Sequence, residues 1–174
     1  KKVYDTIANA KHPYWGCFNP LAVRYLKTER TKKLENEVDF EFPLLLEYIY
    51  YWEDFPTEGM QQAYDDGKVV ELTMQCSSVM NEDLDNFNPF FDVLDGVADE
   101  NLRRFAKDAA KFGKPFIFRL NNEMNSDWTS YGGPIILNDP DLYVEVWRRI
   151  YRIFQEEGVN NAIWVFNPNN ISFP

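Results

Sequence analysis

Between His12 and Asn170 the chain alternates two kinds of hydrophobic pattern. The first is a short run of consecutive apolar and aromatic residues: "LLLEYIYYW" from Leu44, "VVELTMQC" from Val69, "PFIFRL" from Pro115 and "AIWVFN" from Ala162. Runs of this length, rich in β-branched and aromatic residues and bounded by polar clusters, predict buried strands. A helix competes for "LLLEYIYYW", but its three tyrosines and isoleucine favour a strand. "HPYWGCFN" predicts a fifth, aromatic strand ending near Asn19.

The second pattern is helical. After Asp99, expected as an N-cap, Leu102, Phe105, Ala106 and Ala109 follow the i, i+3, i+4, i+7 rule until Gly113 and Pro115 stop the helix. After Asp139 the start signals are stronger: a capping carboxylate, Pro140 at the first helical position and Asp141 at the positive end of the dipole. Tyr143, Val146, Trp147, Ile150, Tyr151 and Phe154 share one face, and Gly158 ends it. "KTERTKKLENE" reads as a charged helix whose extension Pro43 blocks, and "PTEGMQQAYDDG" as a short one ending at Gly67. Ser77 to Val97 reads as a long loop rich in Asn and Asp.

Strand and helix in turn predict βαβ units and a parallel sheet, in an α/β fold. No linker or repeat divides the chain, so residues 1–174 are taken as one domain. Each strand–helix unit occupies about 35–40 residues, and eight of them need about 300, the size of a (β/α)₈ TIM barrel. The chain therefore reads as strands one to five of such a barrel, with the C-terminal strands absent. An isolated piece of that kind is expected to associate through its open edges and to catalyse nothing alone.

Charge and rare residues narrow the chemistry. With 18 basic and 28 acidic residues the formal net charge is −10, which disfavours nucleic acid and anionic membrane surfaces as partners. No apolar run approaches the roughly 18 residues of a membrane span, and no signal peptide is seen at Lys1. Cys17 and Cys76 lack metal-type spacing and are expected as free thiols, and His12 is the only histidine. A histidine metal site or a Ser-His-Asp triad is therefore not expected, and no cofactor is called for. Aromatic residues reach 17 %, a share that suits either a large core or a surface that stacks on sugars.

The most informative stretch is "FRLNNEMNSDW", Phe118 to Trp128. A buried strand that needed only to turn would use Gly, Pro or Asp. This one ends in amides, a carboxylate and an indole. Polar residues at the C-terminal end of a barrel strand are usually catalytic, which singles out Glu123. Taken alone, such a glutamate is more often a cap or a surface ion-pair partner.

Together with "DVLDGVADENLRRFAKDAAKFGKPF" before it and "DPDLYVEVWRRIYRIFQEEGVNNAIWVFNPN" after it, the stretch resembles glycoside hydrolase family 26. That family consists mainly of β-mannanases, with some β-glucanases and β-1,3-xylanases. The resemblance is strong over Phe91 to Asn170 and weaker over "YWGCFNP" and "LLLEYIYYWEDF". Its specificity lies in the ordered set of Arg119, Glu123-Met124-Asn125, Trp128, the acidic helix start and the tryptophan-bearing strand that closes on Pro168-Asn169. It implies a (β/α)₈ barrel in which Glu123 is the general acid/base and Trp128 the aromatic platform beside the scissile bond. The residue before the acid/base is usually His in that family and is Asn122 here. The wider clan of retaining barrel glycosidases has Asn there, donating to the sugar 2-hydroxyl, so Asn122 keeps a substrate-contact role while the identity of the sugar is loosened.

Arg119, Tyr131, Phe166 and Asn167 are expected to line the same cleft. Trp164 and Trp147 are expected to pack, whereas Trp15 and Trp52, near strand ends, are either sugar platforms or packed rings. Retaining hydrolysis needs a second carboxylate about 5–5.5 Å from the first, which the family supplies from strand seven. Glu53, Asp54 and Asp127 are local carboxylates, but none matches that position, and each reads better as a cleft-lining or hydrogen-bonding residue. The resemblance thus implies a retaining endo-glycosidase acting on β-linked polysaccharide, β-1,4-mannan first, secreted and monomeric at full length. A non-catalytic carbohydrate-binding protein on a glycosidase-like barrel and a half-barrel assembly module are the rival readings.

Overall fold

The computed structural model describes residues 9–20, 22–77 and 89–171. In chain order these form β1 (Gly16–Phe18), α1 (Glu29–Val38), β2 (Leu44–Tyr50), α2 (Thr57–Asp65), β3 (Val69–Gln75), α3 (Pro89–Leu94), α4 (Asp99–Phe112), β4 (Phe116–Leu120), α5 (Pro140–Glu156) and β5 (Ala162–Val165). The strands form one sheet in the order β1-β2-β3-β4-β5, every neighbouring pair parallel. Five sequential parallel strands joined by helical crossovers fit the first five strands of a (β/α)₈ barrel.

Register explains the two faces. Leu45 pairs with Val70, Leu72 with Phe118 and Phe118 with Trp164, so alternate residues of each strand align across the sheet. On one face Leu45, Ile49, Val70, Leu72, Met74, Phe116, Phe118 and Leu120 are buried against the helices. The apolar stripe of α4 meets them through Leu102, Phe105, Ala106 and Ala109, and that of α5 through Val146, Ile150 and Phe154. Phe118 lies between the two helices, with ring centroids 6.3 Å from Phe105 and 4.9 Å from Phe154. Trp164 packs on this face too, 4.9 Å from Trp147 and 4.9 Å from Phe118. The other face, which in a closed barrel is the interior, carries Tyr48, Glu71, Thr73, Gln75 and Arg119, joined at the end of β5 by Asn167.

One residue breaks the helix-side pattern. Glu47 lies between Leu45 and Ile49 and is only 1 % exposed. Its carboxylate accepts from the backbone N–H groups of Val23 and Arg24 at 3.3 and 3.4 Å. Burial raises its pKa, outweighing the bonds that favour the charged form. Glu47 therefore clamps the loop after β1 onto β2. From the other side α2 presses on the same loop, because a Cβ on Gly59 would sit 1.7 Å from the Val23 carbonyl oxygen. Gly59→Ala is expected to lower stability by about 2–3 kcal/mol, since the clash outweighs alanine's helix preference of about 1 kcal/mol. Denaturant unfolding of the purified variant checks this, and a stability equal to wild type would show that the loop yields freely.

Two sequence expectations change. Ser77 to Val97 is not wholly loop: α3 lies within it, with Phe90 and Val93 buried and Phe90 stacked 6.2 Å from Tyr143. A six-residue helix is shorter than the window over which helical periodicity can register, although Pro89 at its first position is a start signal. The remainder, residues 78–88, lies outside the described residues. Asp99 does not cap α4; Ala98 holds the cap position. The Asp99 carboxylate instead takes both ends of the Arg149 guanidinium, at 2.9 and 2.8 Å, and ties α4 to α5. Asp139 does cap α5, accepting from the Asp141 N–H at 3.0 Å. Cys17 and Cys76 are free, and burial pushes the Cys76 thiol up to about 12.

Candidate active site at the end of the fourth strand

Strand β4 stops because its next residues leave the extended region. Asn121 and Glu123 have φ of 47° and 58°, in the left-handed region that asparagine tolerates best among side-chain-bearing residues. Asn121 is held through its N–H, its Oδ1 and its carbonyl. Its N–H donates to the Met74 carbonyl at 2.9 Å, its Oδ1 accepts from the Cys76 N–H at 2.8 Å, and its carbonyl accepts from the Tyr143 hydroxyl at 2.8 Å. The Glu123 N–H then crosses to the Asn167 carbonyl beyond β5, at 2.7 Å. A left-handed glutamate is costly unless its surroundings over-determine it, and here they do.

The loop that follows folds back on the site. Asn125 and Asn169 exchange hydrogen bonds of 3.0 and 2.6 Å, and Ser130 Oγ donates to the Cys76 carbonyl at 2.9 Å. Trp128 is thereby returned to Glu123, with its Nε1 donating to Oε2 at 3.2 Å. The indole is 55 % exposed, and Glu123 is half-buried beside it. A carboxyl group with one oxygen engaged by an indole N–H, under an open aromatic face, can exchange a proton with a ligand stacked on that face.

Below this pair the inner face is knitted by Arg119. Its guanidinium donates to Thr73 Oγ1 at 2.8 Å, Asn167 Oδ1 at 3.0 Å and Tyr48 Oη at 3.2 Å, and it pairs with Glu71 at 3.1 Å. One side chain so links β2, β3, β4 and the end of β5. Asn122 is buried, and its Oδ1 accepts from Gln75 and Tyr131 at 3.1 and 3.3 Å.

Of the residues expected to line a cleft, the fold brings Glu123, Trp128 and Asn122 to one strand end and Asn167 to its neighbour. Arg119 lies beneath them, engaged with strands. Tyr131 is wholly buried, its hydroxyl turned to Asn122 and Gln75. Phe166 is exposed at the end of β5. Trp52 stacks on Tyr50 with centroids 4.6 Å apart, whereas Trp15 is exposed near β1. Glu53 is paired with Arg24 and accepts from the Tyr50 N–H at 2.7 Å; Asp54 pairs with Arg104 of α4 at 2.5 Å; Asp127 is exposed. Among the described residues, no group of three or more His, Cys, Asp or Glu is placed to hold a metal, and no helix is long and apolar enough to cross a membrane.

Sequence reasoning passed over Gln75, Glu71, Thr73 and Tyr48. The available signal was period two: counting back from the end of each strand puts them on one face with Arg119.

Comparison with known proteins shows a family and a shared fold. The sequence profile of Glycosyl hydrolase family 26 matches residues 54–173. Endoglucanase H of Acetivibrio thermocellus is 35 % identical over 80 residues, 45 % of this chain and 9 % of its own length. Mannan endo-1,4-beta-mannosidase A of a Piromyces species is 37 % identical over 57 residues, 32 % of this chain and 9 % of its own. Among solved structures, Bacillus subtilis mannanase man26 superposes with a TM-score of 0.70 at 14 % identity, over 93 % of this chain and 58 % of that one. The catalytic domain of the endo-beta-1,4-mannanase from Bacillus sp. JAMB-750 gives 0.67 at 14 % identity, over 96 % and 52 %. The chain thus spans about a tenth of the curated relatives it matches and little more than half of these two solved domains.

Proposed function

This chain belongs to glycosyl hydrolase family 26, and from that membership we propose that it is the acid/base-bearing half of an endo-glycosidase that cleaves β-linked polysaccharide, β-1,4-mannan first. The observation that carries the reading is the pair at the end of β4: Glu123 with Trp128 Nε1 on its Oε2. In this account Glu123 protonates the departing glycosidic oxygen. Once deprotonated, it activates the water that releases the sugar from the enzyme. Trp128 stacks on the apolar face of a pyranose, and Asn122 contacts a hydroxyl beside the reacting carbon. Retention requires a carboxylate nucleophile about 5–5.5 Å from Glu123. The family likeness implies that this nucleophile comes from the barrel's seventh strand, and none of Glu53, Asp54 and Asp127 stands at a matching position; Glu53 and Asp54 are paired with arginines instead. A polymeric substrate supports an extracellular location for the full-length enzyme, and a monomer needing no cofactor belongs to the same proposal.

The test is to incubate the full-length protein with mannan, mixed-linkage glucan and xylan and measure released reducing ends. Release from mannan supports the reading, and release from glucan or xylan alone would move the substrate. Binding without release would replace the enzyme by a carbohydrate-binding protein.

Trp128 gives a sharper check. Its exposed ring supports little core, so Trp128→Ala is expected to raise KM for polysaccharide about ten-fold while the melting temperature stays within a few degrees. Steady-state kinetics and a thermal melt decide it. A large loss of stability with unchanged kinetics would make Trp128 a packing residue.

A further inference from the structure

Asn122 has two hydrogen-bonding ends, and its neighbours decide which of them faces open space. Its Oδ1 accepts from Gln75 Nε2 at 3.1 Å and from Tyr131 Oη at 3.3 Å, while Gln75 Nε2 also donates to Tyr131 Oη at 3.2 Å. The three groups close a triangle between the end of β3, the end of β4 and the returning loop. Asn122 is only 6 % exposed, yet its Nδ2 is not sealed from solvent and has no hydrogen-bond partner among the described residues.

Donor arithmetic makes this orientation the favoured one. An amide nitrogen only donates, and a phenol has one proton to give. Tyr131 is fully buried, and burial pushes its phenol pKa up, so the proton stays and needs an acceptor. Within the triangle Asn122 Oδ1 is that acceptor. With Gln75 presenting its Nε2, as it does here, turning the Asn122 amide over would set donor against donor and leave the buried tyrosine proton without a partner, so the Gln75 amide sets the polarity of the triangle. Packing holds Tyr131 in place: the next residue, Gly132, lies so close to Ser126 that a Cβ there would fall 2.2 Å from the Ser126 carbonyl oxygen.

We propose that Gln75 and Tyr131 are positioning residues that lock the Asn122 amide with Nδ2 outward, so that it donates to a sugar hydroxyl beside Glu123. The inference rests on the glycosidase reading above and adds to it the two residues that set the polarity of the contact. Tyr131 touches no sugar in this account, and its effect passes through Asn122.

The test uses the full-length enzyme and 2,4-dinitrophenyl β-mannobioside, with a companion probe lacking the 2-hydroxyl on the ring next to the aryl group. Gln75→Glu nearly keeps the side-chain shape and replaces a donor by an acceptor, drawing Asn122 Nδ2 inward and turning Oδ1 outward. It is expected to lower kcat/KM about 100-fold, as far as Asn122→Ala does, and the double variant should fall no further. Tyr131→Phe should act in the same direction more weakly, because Gln75 still holds the amide. On the deoxy probe the gap between wild type and Gln75→Glu should close. A general structural defect, or a charge effect on Glu123, would persist in the Asn122→Ala background and on the deoxy probe, and would overturn the proposal.

A second measurement does not depend on hydrolysis. The Asn122 side-chain ¹⁵N–¹H₂ resonance should shift on titration with mannotetraose in wild type and stay still in Gln75→Glu. If wild type hydrolyses no β-linked glycan yet shows this Gln75-dependent shift, the glycosidase reading fails and the positioning role stands. If hydrolysis proceeds and the resonance ignores Gln75, the positioning role falls.

Discussion

Glu123→Gln in the full-length enzyme is expected to lower turnover on mannan by about 10³-fold, close to 4 kcal/mol of transition-state stabilisation. The substitution keeps an oxygen for the Trp128 N–H and the left-handed backbone held by Asn167, so folding should be spared. What it removes is the proton. The loss should therefore depend on the leaving group: aryl glycosides that depart unaided need little protonation, and their glycosylation step should slow far less than that of the polymer. Single-turnover kinetics on both substrate types, beside a thermal melt, separate these expectations. Equal polymer activity in mutant and wild type would end the assignment of Glu123 as acid/base.

Arg119→Met is expected to cost about 3 kcal/mol of folding stability, because it leaves Glu71 as a largely buried carboxylate without its cation. Thr73, Tyr48 and Asn167 lose a donor at the same time. Activity should fall with it, since the Asn167 carbonyl holds the Glu123 N–H and the Asn167 side chain is anchored by Arg119. Neutralising the stranded acid in Arg119→Met/Glu71→Gln should restore part of the stability. Denaturant unfolding of the single and double variants measures this. A double variant less stable than Arg119→Met would mean that the charge of Glu71 is not the source of the loss.

The candidate site was legible in chain order because its main members are local. Glu123 and Trp128 are five residues apart, directly after a strand whose apolar run is unmistakable, so pattern and resemblance together reached them. Which residues meet within the site was hidden by distance along the chain. Gln75 and Tyr131 are separated from each other by 56 positions, and nothing in "TMQC" or "TSYGGP" says that they meet. Glu47 was hidden for another reason: an acid inside "LLLEYIY" reads as a break in an apolar run, and only the neighbouring loop's backbone N–H groups explain it.

Sequence alone determined the alternation of strand and helix, the parallel sheet that follows from it, the cap at Asp139 and the strand end that carries the carboxylate. These depend on periodicity and on residues near one another, which side-chain chemistry encodes directly. Tertiary structure decided what each polar group does once it arrives. It turned Asp99 from a cap into the partner of Arg149, made Arg119 a tie across four strands, and buried Tyr131 beneath Asn122. The physical reason is satisfaction: a buried donor or acceptor is committed by whichever partner the fold brings within about 3 Å, and that partner usually comes from a distant part of the chain.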